Sequence, residues 1–118
     1  VPVVNQIELS PNLQQHSVQH ACAAAGIVVA AYSPLTMGRR MDLPVLSSIA
    51  ALYAASPAQV LLAWGLRLGA AVLPKSVRPE RIAENIALDE LHLEAADMAA
   101  LDALEENLVT GWNPQTVA

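Results

Sequence analysis

The stretch Gly26-Ile27-Val28-Val29-Ala30-Ala31-Tyr32-Ser33-Pro34 decides the fold class. From Ile27 to Tyr32 it is a nearly uniform apolar run, the pattern of a strand buried on both faces in a parallel sheet. Upstream, a helix is predicted from about Asn12 to Ala24, opened by Ser10-Pro11 and stopped by Gly26. Before it, Val3-Val4-Asn5-Gln6-Ile7-Glu8 reads as a short strand. Two strands joined by one helix make a parallel βαβ unit with a right-handed crossover.

Downstream, Leu35 to Leu43 is a predicted loop carrying Gly38-Arg39-Arg40. A helix follows from about Pro44 to Ala54, with Val45, Ile49 and Leu52 on one stripe. Ser56-Pro57-Ala58-Gln59 has the form of a capping box opening a helix that runs to about Leu68, with Gly69 ending it. Ala71-Val72-Leu73-Pro74 is a third short buried strand, and Arg81 to Ala87 and Ala95 to Leu108 are further helices. Met98, Leu101 and Leu104 share one face of the last. Alternating strands and helices imply an α/β parallel sheet or barrel. Three strands cannot close a barrel, and a three-stranded parallel sheet leaves apolar faces bare, so the chain is expected to lack N-terminal units.

Composition narrows the function classes. The 118 residues are 54% apolar, which excludes a disordered segment. The apolar runs from Ala21 to Tyr32 and from Val60 to Leu73 are interrupted by Gly26, Arg67 and Gly69. Neither reaches the roughly 20 residues of a membrane span, so a soluble protein without a membrane partner is expected. A net charge of −5 without a Lys/Arg run argues against nucleic acid. The single Cys22 suggests a reducing, cytoplasmic location and reads as a small buried hydrophobe on a helix. His16 and His20 have a spacing that can hold a metal, but no third ligand stands nearby in sequence, and no metal is predicted. Asp97, Asp102, Glu105 and Glu106 read as a solvated acidic face.

Lys75, Arg78 and Arg81 fall within seven positions of an otherwise acidic chain. Lys75 and Ser76 follow the third strand, where ligands of parallel α/β proteins bind, and Pro79 starts a helix whose N-terminus favours phosphate. Lys75 offers a point charge, Ser76 a donor and Arg81 a planar fork for two phosphate oxygens. Glu84 and Asn85 lie one turn on, beside a base or sugar. Spacing alone leaves a solvated loop with a charged helix start equally open. Gln6 and Tyr32, at other strand ends, offer a carboxamide and a stacking ring, or else a satisfied buried polar group and a core aromatic.

In order along the chain, Val4-Asn5-Gln6-Ile7-Glu8-Leu9, Leu13-Gln14-Gln15, Ala31-Tyr32-Ser33-Pro34-Leu35, Ser56-Pro57-Ala58-Gln59-Val60 and Pro74-Lys75-Ser76 through Glu80-Arg81-Ile82-Ala83-Glu84-Asn85 resemble successive motifs of aldo-keto reductases. The likeness is to bacterial members similar to 2,5-diketo-D-gluconate reductases. The resemblance implies a TIM (β/α)8 barrel, of which residues 1–118 are the C-terminal portion, about three βα units. It implies NADP(H) as cofactor and a small-molecule carbonyl substrate reduced by hydride transfer. Gln6 is implied to bond the nicotinamide carboxamide and Tyr32 to stack on its ring. Ser33 and Leu35 line the pyrophosphate path; Lys75, Ser76 and Arg81 hold the adenosine 2′-phosphate; Glu84 and Asn85 contact adenine.

The family's catalytic Asp, Tyr, Lys and His belong to the first half of the barrel, and no residue here matches them, so the chain by itself is expected to be inactive. The alternatives are a non-enzymatic NADP(H)-binding or regulatory barrel and an inactive truncated fragment. Ser10, Asn12, Ala63 and Glu94 depart from the family pattern. The segment Thr110-Gly111-Trp112-Asn113-Pro114 resembles the C-terminal loop beside the substrate pocket, which makes Trp112 a candidate substrate contact.

Overall fold

The computed structural model describes residues 1–117. Strands β1 (Val4–Glu8), β2 (Val28–Tyr32) and β3 (Ala71–Leu73) form one parallel sheet in the order β1-β2-β3. Helix α1 (His16–Ala24) connects β1 to β2, and α2 (Pro44–Leu52) and α3 (Pro57–Arg67) connect β2 to β3. Two more helices follow, α4 (Pro79–Ile86) and α5 (Ala95–Asp102). Among the described residues no single helix is long and apolar enough to cross a membrane.

Register fixes the two faces of the sheet. Gln6 lies beside Ala30, Glu8 beside Tyr32, and Tyr32 beside Leu73. Because strand side chains alternate, Val4, Gln6, Glu8, Val28, Ala30, Tyr32, Ala71 and Leu73 share one face. Ile7, Val29, Ala31 and Val72 share the other and pack with Leu46, Ile49, Val60, Leu61, Trp64 and Leu101 of the helices. The helices cover that second face only. On the first, Val4 is 52%, Val28 47% and Leu73 44% exposed while Ala30 is 7%, so that face of β2 is covered at its middle but open at Val28, short of the full burial its apolar run suggests.

Several helix boundaries differ from the local signals. Ser10 and Leu13 bridge in a tight turn, and α1 begins only at His16, after Gln15 in a left-handed conformation. Tertiary bonds override the Ser-Pro start: Gln14 Nε2 donates to the Asp102 carbonyl at 2.7 Å and Asn12 Nδ2 to the Leu104 carbonyl at 3.2 Å. On α2 the buried stripe is Leu46, Ile49 and Ala50, at helical spacing, while Leu52 is 75% exposed. Helix α5 stops at Asp102 rather than Leu108 because Glu106 and Leu108 turn their N–H groups to the Asn12 carbonyl, at 3.2 and 2.9 Å.

The capping box of α3 forms as its sequence implies. The Gln59 N–H donates to Ser56 Oγ at 3.2 Å, and the Ser56 N–H donates to Gln59 Oε1 at 3.0 Å. From Val60 to Gly65 every residue of α3 is buried. Gly65 permits the close approach to β3: a Cβ there would stand 2.6 Å from Cγ1 of Val72. Gly26 and Gly69 end α1 and α3 with φ of 68° and 82°, in the left-handed region that glycine enters without strain. Cys22 is buried, and its sulfur accepts from Asn5 Nδ2 at 3.4 Å.

Candidate functional site

Parallel pairing brings the C-terminal ends of β1, β2 and β3 to one edge of the sheet, and the candidate residues follow from that edge. Gln6 and Tyr32 open onto one cleft of about 850 Å³, together with Glu8, His16, Val109 and Trp112. Four consecutive residues of β1, Asn5 to Glu8, line it. Since their side chains point to opposite faces, the cleft runs along the free edge of β1. Trp112, in the segment after α5, is 67% exposed there.

Glu8 organises this corner. It is 4% exposed, and its carboxylate accepts from the Thr110 N–H at 2.7 Å, from the Thr110 hydroxyl and from the Gly111 N–H at 3.1 Å. A buried charge is tolerable when hydrogen bonds satisfy it, and these bonds fasten the C-terminal segment to β1. The Tyr32 hydroxyl donates to the Trp112 carbonyl at 3.4 Å. Burial, and next the Glu8 charge, push the Tyr32 phenol above its ordinary pKa.

The turn after Tyr32 is conformationally unusual. Ser33, Thr36 and Met37 have φ of 48°, 54° and 50°, values that non-glycine residues rarely adopt. Thr36, 1% exposed, stabilises it: its hydroxyl donates to the Leu35 carbonyl at 2.7 Å and accepts from the Arg40 N–H at 3.2 Å. Ser33 is half-buried in this turn, and the Leu35 side chain packs against the core.

Lys75, Ser76 and Arg81 flank the start of α4, while Glu84 and Asn85 lie in its last turn. Pro79 holds the first helical position, and no side chain caps the helix at Arg78. Lys75 and Arg81 are exposed, Ser76 is half-buried and its hydroxyl accepts from the Arg78 N–H at 3.2 Å, and Asn85 is buried. Glu84 turns toward α3, where its carboxylate accepts from the Ser56 hydroxyl. Gln59 Nε2 donates to the carbonyls of Glu84 and Ala87, at 3.1 and 2.9 Å. The residues that cap α3 therefore also anchor α4.

Gln6, Tyr32 and Trp112 thus share one cleft, whereas the Lys75–Asn85 group stands apart from it at the far edge strand, with Ser33 and Leu35 on the turn leaving Tyr32. His16 rims the cleft and His20 a separate hollow beside Gly26 and Gly69.

The acidic residues near α5 are solvated in part, Asp102 and Glu106 being exposed, but each is also tied to a partner distant in sequence. Trp64 Nε1 donates to Asp102 Oδ1 at 2.8 Å, the Tyr53 hydroxyl donates to Asp97, and the Gln14 N–H donates to Glu105 Oε2 at 2.6 Å. Arg40 grips Glu106 with two nitrogens, at 2.5 and 3.2 Å. Local charge patterning missed these partners because each lies far away in sequence. The one signal that could have drawn attention to Glu8 is a lone acid at the end of a strand with no other charged residue.

Comparison with known proteins bears on this arrangement. Residues 1–106 match the aldo/keto reductase family. Aldo-keto reductase Rv2971 of Mycobacterium tuberculosis is 45% identical over 117 residues, covering 99% of this chain and 42% of its own length. Gox0644, in a mutant crystallised in complex with NADPH, superposes with a TM-score of 0.94 at 37% identity, over 100% of this chain and 44% of that one. A Bombyx mori aldo-keto reductase crystallised with NADP gives a TM-score of 0.86 at 34% identity, over 92% of this chain and 39% of that one. The chain spans about 42% of the length of the curated relatives it matches. On a match that runs through all three strands and the site at their ends, the chain belongs to the aldo/keto reductase family.

Proposed function

We propose that this chain is the NADP(H)-binding, C-terminal portion of a (β/α)8-barrel oxidoreductase that reduces aldehydes or ketones by hydride transfer. The observation that carries the reading is the group Lys75, Ser76 and Arg81 around the uncapped start of α4, on the same sheet edge as Tyr32. A lysine, a hydroxyl and a guanidinium at a helix N-terminus suit a phosphate ester, and the adenosine 2′-phosphate is assigned there. Arg81 supplies the fork, Lys75 the point charge and Ser76 a hydroxyl. Glu84 and Asn85 flank the adenine, and the Ser33–Leu35 turn lies along the pyrophosphate. Gln6 bonds the nicotinamide carboxamide, Tyr32 packs on its ring, and Trp112 borders the substrate. The NADPH and NADP complexes of the similar proteins support this cofactor.

The free edge of β1, and the sheet face left open at Val4, Val28 and Leu73, support a further reading, that other strands of a barrel pair along that edge, enclose that face and bring the catalytic groups with them. The nicotinamide supplies the hydride when bound. The residues of this chain hold and orient it. Calorimetric titration of the chain with 2′,5′-ADP and with 5′-AMP tests the phosphate assignment. The 2′-phosphate should tighten binding by about tenfold or more, the worth of charge-assisted hydrogen bonds. Equal affinity for the two nucleotides would remove it.

A further inference from the structure

The buried carboxylate of Glu8 has no role in the cofactor contacts assigned above, yet it is the most heavily bonded side chain in the cleft. Both of its oxygens are engaged, Oε1 by the Thr110 N–H and hydroxyl and Oε2 by the Gly111 N–H. The donors come from a segment 102 or more positions away. No other acceptor type fits as well. A neutral carboxamide offers one oxygen and an NH₂ group, which would face the Gly111 or Thr110 N–H as donor against donor. Glu8 also stands beside Tyr32 in the strand register, and Gly111 lies close to both, since a Cβ added to it would stand 3.6 Å from Glu8 Oε2 and 3.6 Å from Tyr32 Cε2. The next residue is Trp112, whose carbonyl receives the Tyr32 hydroxyl.

We propose that Glu8 is a positioning residue that sets the nicotinamide-facing wall of the site, by holding the Thr110–Gly111–Trp112 segment against the ring of Tyr32. The nicotinamide assignment rests on the cofactor reading above; the placement of Trp112 does not. The Glu8 carboxylate touches neither cofactor nor substrate in this account and acts through Tyr32 and Trp112.

Two variants and two readouts test it. Glu8→Gln keeps the shape and reverses one donor–acceptor match; Thr110→Val keeps the backbone bonds and removes only the hydroxyl. The first readout is the time-resolved anisotropy of Trp112, with buried Trp64 as the rigid reference. The second is the affinity for NADPH relative to 2′,5′-ADP, which carries the phosphate end of the cofactor without the nicotinamide. Glu8→Gln should give Trp112 a larger fast component and weaken NADPH by about tenfold, the worth of one hydrogen bond to a charged group, while leaving 2′,5′-ADP unchanged. Thr110→Val should act in the same direction more weakly, and it carries the test if Glu8→Gln does not fold.

Parallel loss of NADPH and 2′,5′-ADP would mean general damage and would overturn the proposal, as would unchanged anisotropy and affinity in both variants. If the unaltered chain binds neither nucleotide, the cofactor reading fails, and the Trp112 anisotropy alone decides whether Glu8 positions the segment.

Discussion

The indole N–H of Trp64, on the most buried helix of the protein, donates to Oδ1 of Asp102 at the end of α5, 2.8 Å away. Trp64 is 1% exposed, so its one polar atom has little access to water. Replacing Asp102 with Ala leaves a buried donor unpaired. A loss of about 1–3 kcal/mol in urea-unfolding stability is expected, with Asp102→Asn, which retains an acceptor, losing less. Denaturation curves of the two variants check this.

Ser56 has two partners, the Gln59 N–H that it caps and the Glu84 carboxylate to which its hydroxyl donates. Ser56→Ala should cost about 1–2 kcal/mol, toward the upper end for a cap because both bonds are lost. It should also loosen α4. Faster amide exchange at Ala83 and Ala87 in the variant, beyond any change in the middle of α3, is the predicted signature.

The Arg40–Glu106 pair ties the strained turn after β2 to the segment after α5. The hydrogen bond from Arg40 holds the Glu106 carboxyl below the usual carboxylate range, with the guanidinium charge and the Asn12 side chain acting in the same sense. A depressed acid contributes stability above its unfolded pKa and loses it as pH falls through its lower folded value. The protection factors of the Glu106 and Leu108 amides, corrected for intrinsic exchange, should therefore fall once the pH drops below the ordinary carboxylate range. Both partners are exposed, so salt should produce part of the same effect at neutral pH. Glu106→Gln should abolish the salt dependence.

Sequence made the strands, the helix count and the α3 cap legible, because each rests on neighbours a few positions apart. The Ile27–Tyr32 run and Ser56-Pro57-Ala58-Gln59 are local signals, and they appear where expected. Long-range bonds account for the differences. Asn12 and Gln14 hold the chain after α5, which delays α1 and ends α5 early. The exposure of Val28 on β2 depends on which sheet face the helices cover, and the 3.6-residue and 2-residue periods do not encode that. The placement of Lys75 and Arg81 between a strand end and a helix start was legible, since local signals on either side set it. Glu8 was not, since its partners, Thr110 and Gly111, lie at the other end of the chain.

The purified chain should show no NADPH-dependent reduction of simple aldehydes, because none of its residues matches the catalytic set that the family resemblance implies. A spectrophotometric assay of NADPH oxidation checks this; turnover above the rate without protein would contradict it.

The central claim is that Arg81, with Lys75 and Ser76, grips the 2′-phosphate of NADP(H). Its most direct test is the affinity of the unaltered chain and of Arg81→Ala for NADPH and for NADH, measured by quenching of tryptophan fluorescence. The account predicts that Arg81→Ala weakens NADPH by about tenfold or more, the worth of a charge-assisted pair, and leaves NADH unchanged. Equal weakening of both cofactors, or no weakening of NADPH, would contradict it.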